Sequence, residues 1–152
     1  MITVVAEYVN EQSKSGRDYF IFTNIEVIGH AEHTGYDTNI KVCAGVSACC
    51  YGINRLVDLE QFGFIAKKGY FHCWSERKRN LKQALDKDTV HALNTLVCQL
   101  FEIYNLYPKA FKSFDLIDVK EKLKNDARKE QRTIRKPRKR MGFHSLIEET
   151  CH

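Results

Sequence analysis

One stripe of side chains constrains this fold more than any other feature: Val90, Leu93, Leu96, Val97, Leu100, Phe101 and Tyr104. Their three- and four-residue steps place seven apolar groups on one side of a helix. A band that wide needs a whole layer of protein laid against it. Asp86 or Asp88 is positioned to cap the first turn, accepting from a backbone N–H that has no helical partner. Pro108 ends the helix, because it cannot donate to the preceding turn. The covering layer has to come from elsewhere in the chain.

A sheet is available. Ile2–Val9 is rich in β-branched residues and reads as a strand. Asn10–Arg17 is polar, with Ser and Gly, and reads as a turn or hairpin loop. Tyr19–Ile28 is a second strand, and the frame shift between Phe22 and Ile25 marks a bulge or bend. Phe62–Ala66 and Tyr70–Trp74 form a hairpin around Lys67-Lys68-Gly69, and Phe111–Ile117 returns as a last strand. Between them lies another helix, Cys43–Leu59. Val46, Cys49, Ile53 and Leu56 turn to the sheet, and Cys43, Ser47, Cys50 and Asn54 share a neighbouring face. The order β-β-α-β-β-α-β predicts an α/β two-layer sandwich, with a mostly antiparallel sheet of about five strands and two helices on one face.

At 152 residues the chain holds one modest domain and an appendage. Residues 1–118 carry 13 Lys+Arg against 14 Asp+Glu, whereas 119–152 carry 11 against 5. That asymmetry places a boundary near Asp118, between a folded domain over 1–118 and a basic C-terminal extension over 119–152. Lys120–Arg132 reads as a charged helix, and Arg132–Arg140 is a dense basic run. Clustered Lys and Arg suit phosphate contacts with RNA or a ribosome, or an acidic partner. Phe143 is the tail's one aromatic, so base stacking is not indicated. The plainer reading is a solvated terminus. No apolar run approaches the roughly 20 residues that cross a bilayer. The N-terminus lacks a basic n-region and cleavage site. The expectation is a cytoplasmic protein with no membrane partner.

The six cysteines include no Cys-x-x-Cys pair, and Cys49 and Cys50 are adjacent, which suits neither a normal bridge nor a shared tetrahedral site. His30 and His33, with His72-Cys73, are the one metal-like grouping, and they lack a carboxylate at a convincing spacing. Neither metal nor cofactor is expected. Most of the thiols read as small buried hydrophobes.

Cys43 is the exception. It opens the expected first helix, and Gly29-His30-Ala31 closes the second strand. A thiol attacks as thiolate, which a nearby imidazole and the positive end of a helix both favour. In the functional reading Cys43 is the nucleophile and His30 takes its proton, then gives it to the leaving amine. Free N–H groups of the first helical turn would bind the oxyanion. In the plainer reading the two residues never meet. Ser47, one turn on, approaches the thiolate or merely permits close packing. Gly29 lets the chain turn and leaves room for a substrate backbone. Loop Ala31–Lys41, with Gly35 as hinge and Tyr36 as cover, is either a lid over bound peptide or an ordinary connection. His33 is assigned to solvent, and His72 and His91 to packing.

Gly29-His30-Ala31, a Gly/Tyr/Asp-containing loop and Val42-Cys43-Ala44-Gly45-Val46-Ser47-Ala48 together resemble the signature of the ribosomal-processing cysteine proteases, the Prp family. The opening Met1-Ile2-Thr3-Val4, the order of elements and the long second helix extend the likeness over about residues 1–118. The resemblance implies a cysteine endopeptidase with His30 and Cys43 as its dyad and Ser47 helping to shape the site. The implied substrate is a protein with a Phe-, Leu-, Asn- and Gln-rich N-terminal segment: a large-subunit ribosomal protein, or a phage capsid or scaffold protein. It also implies a homodimer. Two departures stand out. Ile40 occupies the position three before the cysteine, where the family carries an acid, and the His-to-Cys interval is one residue longer. Asp37 or Asn39 would then orient His30, or the dyad would act alone. The rival is a non-catalytic RNA- or ribosome-binding protein with the same fold and an idle site. The basic extension has no counterpart in the resemblance.

Overall fold

The computed structural model describes residues 1–75 and 86–131; the basic run Arg132–Arg140 lies outside them. Strands β1 (Ile2–Gln12) and β2 (Asp18–Ile28) form a long hairpin. β3 (Phe62–Lys67) and β4 (Tyr70–Ser75) form a short one, as expected. β5 (Phe111–Asp118) returns last. The sheet order is β3-β4-β2-β1-β5. All neighbours are antiparallel except β1 and β5, which the long α-helical crossover brings back parallel. The expected bulge is present. Glu7 faces Asn24 while Tyr8 faces Phe22, so Thr23 is the extra residue. That slip lets Phe22 and Ile25 both reach the core despite their odd spacing.

Helices α1 (Tyr36–Gly52) and α2 (Lys87–Leu106) cover one sheet face. Leu93, Leu96, Val97 and Leu100 of α2 are each no more than 1% exposed, packed with Val4, Ala6, Ile25, Val42 and Val46. Each such side chain stabilises by about 1.5–3 kcal/mol, which makes the α2 stripe the anchor of the layer. Asp86 caps α2, accepting from the Thr89 N–H at 3.0 Å. Buried Thr89 in turn accepts from the Asp58 N–H at 2.9 Å, tying α2 to the segment after α1.

α1 departs from the expected Cys43–Leu59. It begins seven residues earlier and ends seven earlier. Gly35, at φ +92°, breaks the chain just ahead of it. The Asn39 N–H donates to the Gly35 carbonyl at 2.9 Å, and Asp37 sits in the first turn, where negative charge meets the positive end of the helix. Gly52 closes the other end, where its backbone entropy disfavours continuation. Leu56 is therefore 56% exposed instead of facing the sheet, and Cys50 holds the buried place expected for Cys49.

A third helix, α3 (Val119–Gln131), follows β5 outside the two-helix layer, where the charged helix over Lys120–Arg132 was expected. It leans on β1: Lys122 Nζ lies 2.7 Å from Glu7 Oε1, and Lys120 Nζ donates to the Asn10 carbonyl at 3.0 Å. Among the described residues no helix is long and apolar enough to cross a membrane.

Candidate active site

The end of β2, the middle of α1 and the β3–β4 turn surround a pocket of about 250 Å³. Gly29 and His30 reach it from β2, Cys43 and Ser47 from α1, and Lys67–Tyr70 from the hairpin. Val46, Cys50 and Phe71 line it from the core. Sequence reasoning thus named four residues that the fold brings to one cavity.

Cys43 is half-buried, and its Sγ accepts from the Ala31 N–H at 3.2 Å. This donor replaces the one expected. Cys43 is the eighth residue of α1, not its first, so the amides that follow it are already bonded within the helix. The first-turn oxyanion hole and the helix-end activation therefore do not exist at this cysteine. Residues 36–41, expected as part of the loop, form the first turns of the helix.

His30 is exposed, and its ring rests on backbone. The Gly29 N–H donates to the Gly69 carbonyl at 2.9 Å, tying the end of β2 to the hairpin turn. Gly69 has φ +73°, and a β-carbon there would lie 2.6 Å from His30 Nε2. Only glycine allows the turn to lie so flat on the imidazole. Among the described residues no side chain hydrogen-bonds to His30. Gly69 appeared in the sequence only as a turn residue; nothing there signalled that it supports a histidine 39 positions away.

Asp37 stands apart. It is exposed in the first turn of α1 and does not line the pocket. Asn39 Oδ1 accepts from the Thr34 N–H at 3.3 Å and from the Thr34 hydroxyl, organising the loop rather than the imidazole. The room at Gly29, φ +99°, is taken by the Met1 carbonyl, into which a β-carbon would run. Residues 36–41 of the supposed lid are helix, with Tyr36 80% exposed at its start.

Burial pushes Cys50 and Cys73 up to about 12, Cys50 with help from neighbouring Cys49, and burial raises Cys49 as well. His72 lies on the opposite sheet face, its Nε2 2.6 Å from Asn24 Oδ1, and His33 is exposed beside Glu32. Among the described residues no three His, Cys, Asp or Glu converge as metal ligands. A larger cleft of about 840 Å³ opens between the end of α1 and the start of α2. His91, expected to pack, lines it exposed, and neither Cys43 nor His30 does. The smaller pocket is the one that both Cys43 and His30 line.

No protein-family profile matches the chain, and no curated protein sequence matches it. Solved structures do. An essential ribosomal processing protease, Prp, from S. aureus, crystallised with a covalently linked product peptide, matches with 24% identity and a TM-score of 0.50. The match covers 78% of this chain and 99% of that one. A Streptococcus mutans protein of known crystal structure matches with 17% identity and a TM-score of 0.50, covering 78% of this chain and 95% of its own.

Proposed function

We propose that this chain, which carries the fold of the Prp ribosomal-processing protease, is a cysteine endopeptidase with Cys43 as nucleophile and His30 as general base and acid. The observation that supports it is the shared pocket, which His30 and Cys43 both line and where the Ala31 N–H points at Sγ. His30 takes the thiol proton as sulfur attacks the scissile carbonyl, then delivers it to the leaving amine. Water, deprotonated by the same imidazole, hydrolyses the thioester. Ala31, the backbone donor at the sulfur, takes the oxyanion role first given to the helix start. Ser47 shapes the wall one turn beyond. Asp37 has no part in orienting His30, because the Gly69 turn does so.

The substrate we propose is a ribosomal large-subunit protein with a removable N-terminal segment, or a phage capsid or scaffold protein with a similar one. Residues 1–118 form the catalytic unit, acting as a homodimer. The extension over 119–152 associates electrostatically with RNA or ribosomes. The test is cleavage of a recombinant large-subunit protein carrying such a segment, read by intact mass. Cys43→Ala is expected to abolish cleavage and His30→Ala to slow it by at least about 100-fold, the usual scale for a lost acid–base group. Equal cleavage by wild type and Cys43→Ala overturns the reading and favours a ribosome-binding role with an idle site.

A further inference from the structure

We propose that the sheet face turned away from α1 and α2 is a docking site for the chain's own basic run, Arg132–Arg140. The proposal is independent of the peptidase reading. The two helices cover one face of the sheet, and the strand register puts a different set of side chains on the other. β4 contributes Tyr70, His72 and Trp74 in a row, with successive ring centroids 6.2 and 4.6 Å apart. Ile28 and Ile65, on the strands flanking that row, are 43% and 42% exposed, so the face is apolar and open there. Its acids lie nearer the middle: Val5 is paired with Glu26 on one side and Asp115 on the other. The Tyr70 hydroxyl engages Glu26, and among the described residues neither carboxylate has an ion-pair partner.

Charge, tether and reach identify the occupant. Arg132–Arg140 holds six Lys and Arg and no acid. Such cations settle over aromatic rings as well as beside carboxylates, and this face offers both together. One contact of that kind is already made: the Lys67 ammonium lies 5.6 Å from the Tyr70 ring centroid. α3 brings the chain to the same face, because Lys122 Nζ lies 2.7 Å from Glu7, and Glu7 shares a cross-strand row with Asn24 and Trp74. Neighbouring strands are about 4.8 Å apart, so Glu7 and Trp74 are separated by about 10 Å. From Lys122 to the end of α3 is about 14 Å at 1.5 Å per residue, and the run adds about 30 Å when extended. It therefore reaches Trp74, Glu26 and Asp115 with chain to spare. Cations docked here must let go before they can neutralise phosphates, so the face competes with the RNA association proposed for the extension.

Trp74 is the chain's single tryptophan, so its fluorescence reports on this face directly. The experiment compares acrylamide quenching of the full-length protein with that of Arg135→Gln/Lys136→Gln/Arg138→Gln/Lys139→Gln. Exposed ion pairs each shift an equilibrium only a few fold, so quenching is expected to be about twofold steeper in the variant. The wild type should approach the variant as salt rises. Zero-length carbodiimide cross-linking, read by mass spectrometry, should join Lys136 or Lys139 to Glu26 or Asp115. In a mixture of isotope-light and isotope-heavy protein those links should stay within one chain. Links between light and heavy chains overturn the proposal in favour of a second copy. Protection of Trp74 that arises only on adding an RNA oligonucleotide overturns it in favour of nucleic acid. Equal quenching of wild type and variant at every salt concentration, with no such cross-link, overturns it outright.

Discussion

Cys43 and Cys50 stand two turns apart on one helix, line one pocket and are the same residue, yet the fold gives them different surroundings. Cys43 is half-buried, faces the cavity holding His30 and accepts a backbone hydrogen bond. Cys50 is 3% exposed against the sheet, and burial holds its thiol protonated up to about 12. Under the proposed function, reactivity at Cys43 would come from what the neighbouring strand and hairpin present to the helix. Position within the helix contributes little, since neither cysteine is near its start.

The sharpest way to break that contrast is thiol labelling. At pH 8 a thiol that ionises near 12 is thiolate to only about one part in ten thousand. Iodoacetamide should therefore modify Cys50 and Cys73 very slowly and Cys43, which faces the pocket, first, as read by peptide mass spectrometry. In urea the difference should vanish. Similar rates in the folded protein would mean that the pocket confers nothing.

A smaller effect tests the hairpin's share. Gly69→Ala puts a methyl group against His30 at a left-handed backbone position. It should lower peptide turnover by about tenfold and stability by about 1 kcal/mol. Unchanged turnover with lowered stability would make the turn scaffolding alone.

A further effect is alkaline. Cys50 and Cys73 ionise near 12 in the folded chain against 9.0 without burial, so the unfolded chain gives up those protons first. Stability should be unaffected by these thiols below pH 9 and fall as pH rises from 9 toward 12. Thermal melts across that range should show the decline, and Cys50→Ala should flatten part of it.

The strands, the bulge near Phe22, the hairpin at Lys67–Gly69 and the α2 stripe were legible because alternation and helical spacing are local signals. α1 was not placed correctly. Gly35, Asp37 and Asn39 are turn-favouring types, and here they serve as the start of a helix instead. His30, Cys43 and Ser47 were legible as a motif. The support beneath His30 was not, because it depends on β4 lying beside β2, which no short window of sequence reveals. Asp37, like Asn39, was expected to stand in for the acid that Ile40 replaces; the structure leaves Asp37 at the surface.

The parallel pairing of β1 with β5 sets an order of assembly. β1 lies between β2, its immediate successor, and β5, which begins at Phe111. On a ribosome, every residue of the Cys43 pocket emerges before the strand that completes the sheet. Until then one edge of β1 is unpaired, and Phe101 and Tyr104 lack the Phe114 ring they meet in the finished fold. Closing so long a loop is slow compared with forming a hairpin. The interval in which the chain can misassemble is therefore set by its last strand, although its chemistry is encoded in its first half.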